Sequence, residues 1–319
     1  MLIIKIIIAS TLLSLATLTQ ANIPSNDPLA DYKAEKISNN TWVIHGPMAF
    51  PNPQNKGFMN NPAFTVTDNS VVVFDPASSV QSGKGLLKKI KNITDNPVTH
   101  VFITHVHGDH WLGNQAIKAA YPDAKFYAHP QMIKEANESE AENWVALMES
   151  LTEGATKGTK AVIPTIALSD AQEVSIDNIT VRTHLDDWAH TKTDAMFVIL
   201  EEKVLITGDN VTHQRIARLS DGSFQGNLAA VSKAMDYDIE TVVPGHGPTG
   251  GKEVLEAFHG YLETIYKAAE QGLEDDLESY EVKAALLPKM KQYHAWSGFK
   301  SEFGRHVSQA MLEAEDANF

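Results

Sequence analysis

The segment THVHGDHWLGN, residues 104–114, constrains the fold of this chain more than any other stretch of its 319 residues. It follows the stretch VTHVFIT, whose β-branched and apolar residues predict a buried strand. In an extended chain, His105 and His107 point to the same side. Asp109 and His110 follow in a turn, which can bring their donor atoms back toward a second point. The segment therefore predicts a metal site at a strand end, with donors for two cations.

Three further candidates stand where later strands are predicted to end. LDDWAHTKTDAMFVI places His190 in a loop between two strands, and VLITGDN places Asp209 directly after a strand. TVVPGHGPTGG places His246 in a Gly/Pro loop, where the backbone can pass close to an ion. A sheet gives rigid support to the irregular loops at its edge. These three residues are therefore the expected partners of the first cluster.

These motifs, in this order, resemble those of the metallo-β-lactamase-fold superfamily. The resemblance consists of HVHGDH, then His190, then GD at 208–209, then PGHG at 245–248. Asp75, in FDPAS after an early predicted strand, is similar to the carboxylate of that superfamily's first motif. The resemblance covers roughly residues 38–270. It implies an α/β fold, an αββα four-layer sandwich with the metals at one edge of the paired sheets.

The resemblance also implies a ligand set and a mechanism. One metal would be held by His105, His107 and His190, the second by Asp109, His110 and His246, with Asp209 bridging both and Asp75 orienting a ligand. Imidazole and carboxylate donors without sulfur suit Zn²⁺, two per chain, although Fe or Mn can use the same donors. A bridging water activated by the metals would attack the substrate. Asp109 would orient that water and then return a proton to the leaving group.

The rest of the chain alternates predicted strands with predicted helices, as a layered α/β domain does. Strands are predicted at 41–46, 63–68, 70–76, 98–104, 124–129, within 172–184, and at 195–201, 203–207 and 239–243. Helices are predicted at 83–93, 114–121, 130–151, 227–236 and 251–271. Residues 273–319 are predicted to be a helical extension packed on the same domain, with Trp296, Phe299 and Phe303 as packing residues. The extension could instead cap the pocket or pair subunits through residues 285–312.

The first residues indicate export. A single Lys5, an apolar run and small residues ending at Ala21 are typical of a secretory signal peptide, and the alternative is an N-terminal membrane anchor. The predicted plan lists a signal peptide at 1–21, a leader at 22–37, a catalytic domain at 38–272 and the extension at 273–319. We expect a periplasmic or secreted protein without stable membrane insertion after cleavage. The sequence does not indicate the oligomeric state.

Charge and composition limit the classes of partner that the chain is expected to bind. The net charge is −14, or −15 once Lys5 is removed with the signal peptide, and such a surface repels nucleic acid. The absence of cysteine excludes disulfides, thiolate ligands and a cysteine nucleophile. The expected partner is a small-molecule substrate. Its pocket walls are expected in the loops 50–62 and 137–170.

Most other histidines are expected to be structural. His184 and His213 lie near the candidate ligand loops, so either could line the pocket. Trp188 could be a pocket wall or ordinary packing. Asp186 and Asp187 are expected to be solvated acids in a turn.

The expected activity is that of an exported dinuclear zinc hydrolase acting on a small carbonyl-type ester, lactone, thioester or amide. The TGD motif at Asp209 resembles glyoxalase-II-like thioesterases and lactonases. The overall plan resembles periplasmic zinc metallohydrolases of the group associated with quinoproteins and sulfur oxidation. One alternative is a β-lactamase of the cysteine-free zinc type. An alternative of another class is an iron-loaded redox or metal-binding module.

Overall fold

The computed structural model describes residues 27–317, and two mixed sheets form its centre. The first sheet has its seven strands in chain order, antiparallel from β1 to β4 and parallel from β4 to β7. The strands are β1 (Glu35–Lys36), β2 (Thr41–Val43), β3 (Ala63–Val66), β4 (Val71–Phe74), β5 (Val98–Phe102), β6 (Lys125–Ala128) and β7 (Ile166–Ala167). Strands β1 and β7, two residues each, were not predicted, because so short a run carries no periodicity.

The second sheet has five strands in the order β12-β11-β10-β9-β8. Only the β11–β12 pair is parallel. The strands are β8 (Glu173–Ile176), β9 (Ile179–Leu185), β10 (Ala195–Ile199), β11 (Val204–Ile206) and β12 (Thr241–Val243). Every residue of β10 and β11 is buried, since the sheet is covered on both faces.

The two sheets pack face to face over an apolar core. Phe74 and Phe102 of the first sheet stack with 5.6 Å between ring centroids, and Phe197 of the second sheet lies 5.3 Å from Phe102. All three side chains are fully buried. Burial of aromatic rings of this size is a major source of stability. This contact therefore holds the two sheets, and the strand ends that they carry, in a fixed relative position.

Helices cover the outer face of each sheet. On the first lie α1 (Val80–Lys91), α2 (Gly108–Trp111), α3 (Asn114–Ala120), α4 (Pro130–Glu135) and α5 (Ala141–Leu151), with one π-helical turn (Ala136–Glu140) joining the last two. On the second lie α6 (Phe224–Met235), α7 (Lys252–Glu274), α8 (Ser279–Leu286) and α9 (Phe299–Ala317). The predicted αββα sandwich with C-terminal helices is confirmed. Helix α6 begins earlier than predicted because Ser223 caps it, accepting from the Gly226 N–H at 3.1 Å.

The C-terminal helices share one core with α7. Phe299 and Phe303 stack at 4.8 Å and are buried, and the Tyr261 hydroxyl lies 3.0 Å from Nδ1 of His306. The predicted boundary between 272 and 273 falls inside α7, so it does not separate two packing units. Within the described residues, the extension packs beside the second sheet and contributes no side chain to the walls of the pocket described below.

The predicted leader is part of the domain from Asp27 onward. Leu29 is fully buried, Tyr32 packs edge-on against Phe58 at 5.0 Å, and β1 extends the first sheet. Because most residues of this stretch are polar, the burial of Leu29 was not predicted. The predicted signal peptide at 1–21 lies outside the described residues. Among the residues that are described, no helix is long and apolar enough to span a bilayer.

Candidate metal centre

The candidate ligands come from strand ends that meet at one edge of the sandwich. His105 follows β5, Asp209 follows β11, and His246 follows β12. Two glycines allow this close approach. A Cβ on Gly208 would lie 2.5 Å from Cβ of Thr104, and a Cβ on Gly245 would lie 2.0 Å from Oδ1 of Asp209. The TGD and PGHG sequences are therefore needed for packing as well as for ligands.

One group of three histidines forms the first part of the site. His105, His107 and His190 each direct one ring nitrogen to a common point, and these nitrogens lie within 4.8 Å of one another. Nε2 of His190 is 3.2 Å from Nδ1 of His107. His105 and His190 are buried, while His107 is partly exposed at the pocket. These are the three residues expected on the first metal.

A second group contains Asp109, His110 and His246. Oδ2 of Asp109 lies 3.4 Å from Nε2 of His110 and 3.3 Å from Nε2 of His246. All three side chains are buried. They are the residues expected on the second metal.

Asp209 stands between the two groups. Its Oδ2 lies 3.2 Å from Nε2 of His246 and 3.6 Å from Nε2 of His190, while its Oδ1 lies 3.3 Å from Nε2 of His110. One carboxylate thus faces donors of both groups. This is the position that a bridging ligand requires.

The unsatisfied atoms of the site fit a pair of cations. Nε2 of His105, Nε2 of His110 and Oδ1 of Asp209 are buried without a hydrogen-bond partner. Buried polar atoms are normally satisfied, and a site for an ion is one explanation for exceptions. Imidazole nitrogens and carboxylate oxygens converging in this way match the donor set of zinc and of other first-row transition metals. The residues present therefore fit the metals that the sequence predicted.

Asp75 orients two of the histidines. Its Oδ2 accepts a hydrogen bond from Nδ1 of His110 at 2.7 Å and from the Thr104 hydroxyl at 2.7 Å. Since the Thr104 hydroxyl is used as a donor, its oxygen accepts from Nδ1 of His105 at 3.0 Å. Both Nε2 atoms are then the ring nitrogens directed into the site and available to a metal, as hydrogen-bonded carboxylates arrange for metal-bound histidines. Asp75 lies where the sequence expected an orienting group.

Two other orienting groups were not predicted. Nδ1 of His246 donates to the Met59 carbonyl at 2.9 Å, and Oδ2 of Asp221 lies 3.4 Å from Nε2 of His107. A backbone carbonyl leaves no side-chain signal in a sequence. Asp221 lies in a polar loop far from His107 along the chain, so no local pattern could assign it.

The charge states of the histidines follow from burial and neighbouring carboxylates. Burial lowers the pKa of His105 well below its usual value and that of His190 to about 3, so both rings are neutral donors. Burial also disfavours charge on His110 and His246, but there the neighbouring carboxylates outweigh it and raise both pKa values. A bound cation would replace the protons that these two rings otherwise hold.

The remaining candidates are placed as follows. His184 is buried between Asp170, at 3.2 Å, and Asp186, at 2.8 Å, and does not line the pocket. His213 also lies outside the pocket walls, with its Nδ1 2.8 Å from the Pro248 carbonyl oxygen. Asp186 was expected to be a solvated turn acid, which is wrong. It accepts from Nδ2 of Asn210, whose Oδ1 in turn accepts from the backbone N–H of His190.

Above the candidate ligands lies a pocket of about 510 Å³. Its apolar wall combines residues of α5 with the loop after β2, namely Phe50, Pro51, Met59, Trp144, Leu147, Met148 and Leu151. Both loops expected to form walls, 50–62 and 137–170, contribute to it. Its polar side carries Arg215 and Arg218, which the sequence did not single out. A neighbouring groove is lined by Trp188, so that residue is a wall of the groove.

Known proteins resemble this chain in sequence and in fold. The sequence profile of the Metallo-beta-lactamase superfamily matches residues 56–246. An atrochrysone carboxyl ACP thioesterase from Pseudocercospora fijiensis is 26% identical over 153 residues, which is 48% of this chain. The chain spans only about a third of that relative, 36% of its length.

Two solved structures share the fold at low identity. A metallo-beta-lactamase from Pontibacter korlensis matches with a TM-score of 0.59 and 18% identity, covering 73% of this chain and 99% of that one. The stereoselective inverting sec-alkylsulfatase Pisa1 from Pseudomonas sp. matches with a TM-score of 0.69 and 12% identity, covering 88% of this chain and 50% of that one. At such identities these likenesses establish the fold alone.

Proposed function

This chain belongs to the metallo-beta-lactamase superfamily, and from that premise we propose that it is a metal-dependent hydrolase, and specifically an exported dinuclear zinc enzyme. Its substrate would be a small carbonyl-type ester, lactone, thioester or amide. The observation that carries the proposal is the position of Asp209, whose carboxylate faces His110 and His246 on one side and His190 on the other. A single-metal site has no need of a carboxylate shared between two donor groups.

The residues have distinct roles in this proposal. His105, His107 and His190 would hold one ion, and Asp109, His110 and His246 the other, with Asp209 shared. When bound, zinc ions supply an acidified water and polarise a carbonyl oxygen. Asp109 lines the pocket as well as facing two imidazoles. In this proposal Asp109 would orient the attacking water and return its proton to the leaving group.

Carbonyl substrates are favoured by the pocket and by a relative. The wall beside the ligands is largely apolar, which suits an acyl group, and the fungal relative is named a thioesterase. Hydrolysis of a β-lactam uses the same chemistry on a strained amide, and it is the second candidate.

The direct test is a metal-content measurement coupled to a substrate panel. We expect about two zinc ions per purified chain, and turnover of at least one lactone, thioester or activated ester that is lost with a chelator and restored by zinc. A cephalosporin in the same panel tests the second candidate. The Asp209→Ala variant serves as the inactive comparison. Iron at the site with oxygen consumption and no hydrolysis would replace this proposal with the redox alternative.

Export is tested separately by cell fractionation. We propose that residues 1–21 direct the chain to the periplasm or outside the cell and are removed. The full-length chain should be found in the exported fraction with its new N-terminus near Asn22. A chain lacking residues 1–21 should stay in the cytoplasm. Recovery of the full-length chain in the membrane fraction, uncleaved, would indicate the anchor instead.

A further inference from the structure

Arg215 is a buried cation beside the metal centre with no anionic partner. Its side chain is 5% exposed, and its Nη1 lies 3.4 Å from Nδ1 of His246. That Nδ1 already donates to the Met59 carbonyl, so it does not accept from Arg215. Among the described residues, no carboxylate forms an ion pair with the guanidinium. The donors of Arg215 are therefore uncommitted at the floor of the pocket.

Keeping an unpaired guanidinium buried is costly, because burial removes it from water. The carboxylates of Asp209 and Asp109 act on Arg215 electrostatically, without forming an ion pair with it. In the loaded enzyme those two carboxylates would neutralise the metals instead. Of the charged residues that line the pocket, Arg215 and Arg218 would then outnumber the one remaining acid, Asp221, within a protein whose net charge is −14. Such a floor attracts an anionic group of a ligand.

Hydrogen bonds to Arg215 and to its two neighbours in the chain hold this part of the backbone in place. The Thr212 hydroxyl donates to the Arg215 carbonyl at 2.7 Å. Ser297, from the C-terminal extension, accepts from the Ile216 N–H at 2.7 Å and donates its own N–H to the Gln214 carbonyl at 2.9 Å. A binding group is most effective when its support is rigid. The C-terminal extension therefore contributes to the site by fixing this loop, although it lines no wall.

An apolar surface adjoins the cation. Phe50, Leu147 and Leu151 all line the pocket and are 51%, 44% and 43% exposed. The ring of Phe50 lies over the guanidinium, with Cζ of Arg215 5.2 Å from its centroid. Large apolar side chains this exposed at a pocket mouth indicate a contact surface for an apolar ligand. The pocket thus offers a positive floor and an apolar wall to one molecule.

We propose that Arg215 binds a carboxylate of the substrate, and that the substrate is an amphiphilic monoanion whose apolar arm lies against Phe50, Leu147 and Leu151. The inference rests on the proposed function and specifies its substrate class. Nη1 of Arg215 lies 3.4 Å from Nδ1 of His246, whose Nε2 on the other side of the ring faces the metal site. The carboxylate and the bond that is cleaved must therefore belong to the same small molecule.

A matched pair of substrates tests the charge preference. 4-Nitrophenyl hexanoate and mono-4-nitrophenyl adipate have acyl chains of equal length and differ by one terminal carboxylate. Charged hydrogen bonds of this kind contribute enough for a loss of roughly 10- to 100-fold. We expect Arg215→Met to lower kcat/KM for the adipate ester by that factor, and for the hexanoate ester by less than about 3-fold. Arg182→Met, which removes an exposed charge far from the pocket, should leave both unchanged.

Two results would overturn the proposal. If both esters lose activity equally with Arg215→Met, the residue stabilises the reaction in general and does not select an anion. If neither loses activity, Arg215 does not contact the substrate. Arg215→Lys is the control for misfolding, because it keeps the positive charge but cannot form the bidentate hydrogen bonds of a guanidinium group. It should give an intermediate loss for the adipate ester alone.

A binding measurement separates this inference from the proposed function. Hexane-1-sulfonate, titrated by calorimetry into the zinc-loaded protein, should bind about 10-fold or more weakly to Arg215→Met than to the wild type. Hexan-1-ol should show no such difference. If the wild type hydrolyses neither these esters nor any other member of the substrate panel, the proposed function fails while the sulfonate titration still decides the role of Arg215. Equal binding of sulfonate to both proteins would refute the inference by itself.

Discussion

Oδ2 of Asp75 lies 2.7 Å from Nδ1 of His110, and both side chains are buried. The same oxygen accepts from Thr104, whose hydroxyl oxygen accepts from His105. One carboxylate therefore sets the orientation of a histidine in each of the two donor groups. Because it is not itself among the ligand atoms, its contribution can be measured without removing a ligand.

Replacing Asp75 by Asn should weaken metal binding. The amide carries no charge to increase the basicity of His110, and loss of such an orienting partner typically costs about 10- to 100-fold in metal affinity. Competition with a zinc chelator measures this affinity. Asp68→Asn, which makes the same change at an exposed position, is the control. An unchanged zinc affinity in the Asp75 variant would show that the negative charge beside His110 has no role in binding.

Replacing Asp109 by Asn should impair turnover more than zinc content. The amide retains an oxygen donor but cannot take up a proton, and loss of general acid–base catalysis typically lowers the rate about 10²- to 10⁴-fold. The measurement is kcat at saturating zinc, with the metal content of the same sample determined in parallel. Asp123→Asn, at an exposed position, is the matched control. Wild-type kcat in the Asp109 variant would remove this residue from the mechanism.

Replacing Gly245 by Ala should disturb the site and the fold together. The added Cβ would lie 2.0 Å from Oδ1 of Asp209 and 2.7 Å from the carbonyl carbon of Gly208. Overpacking of this kind costs about 1–3 kcal/mol, and here it also displaces the shared carboxylate. Chemical denaturation and zinc content measure the two effects.

The same substitution at Gly304 provides the comparison. Gly304 lies within α9, and its nearest obstacle is the flexible end of Lys283. Alanine there should stabilise the protein by about 0.5–1 kcal/mol, because glycine is unfavourable inside a helix. Equal effects of the two substitutions would show that crowding around Asp209 is not what requires Gly245.

His306 should make the C-terminal helices sensitive to acid. Burial lowers its pKa to about 4, against 6.5 in the unfolded chain. The unfolded state therefore binds a proton first, and stability that is present above pH 6.5 is lost as the pH falls toward 4. The loss by pH 5 is about 2 kcal/mol.

The test compares the free energy of unfolding of the wild type and of His306→Gln between pH 7 and pH 5. Glutamine can still hydrogen-bond to the Tyr261 hydroxyl but does not titrate. The variant should lose less stability than the wild type over this interval. Identical pH dependence in the two proteins would mean that His306 is protonated as easily in the folded chain as in the unfolded one.

The sequence predicted which residues would meet because strand ends share one edge of a sandwich. His105, Asp209 and His246 all follow buried strands, and buried strands carry a strong apolar pattern. Their convergence in the structure agrees with that reasoning, while the binding of two metals remains a prediction. Asp75 also follows a strand, but it was singled out by the resemblance of FDPAS to the superfamily's first motif.

The parts that the sequence did not predict depend on loop packing. Asp221 and Arg215 lie in a polar connection between β11 and α6 that has no periodicity. The Met59 carbonyl belongs to the backbone, so no residue type in the sequence indicates its role. The attachment of Ser297 to the Arg215 loop joins two distant parts of the chain by backbone hydrogen bonds alone. Such contacts depend on tertiary placement, which local patterns do not encode. The two-residue strands β1 and β7 were missed because so short a run carries no periodicity.

The central claim is that Asp209 is shared by two cations. Anomalous diffraction at the zinc absorption edge, from crystals of the zinc-loaded protein, tests it most directly. The expected result is two anomalous peaks on either side of the Asp209 carboxylate, one bounded by His105, His107 and His190 and the other by Asp109, His110 and His246. A single peak in crystals saturated with zinc, or peaks that leave Asp209 without a metal contact, would contradict the account.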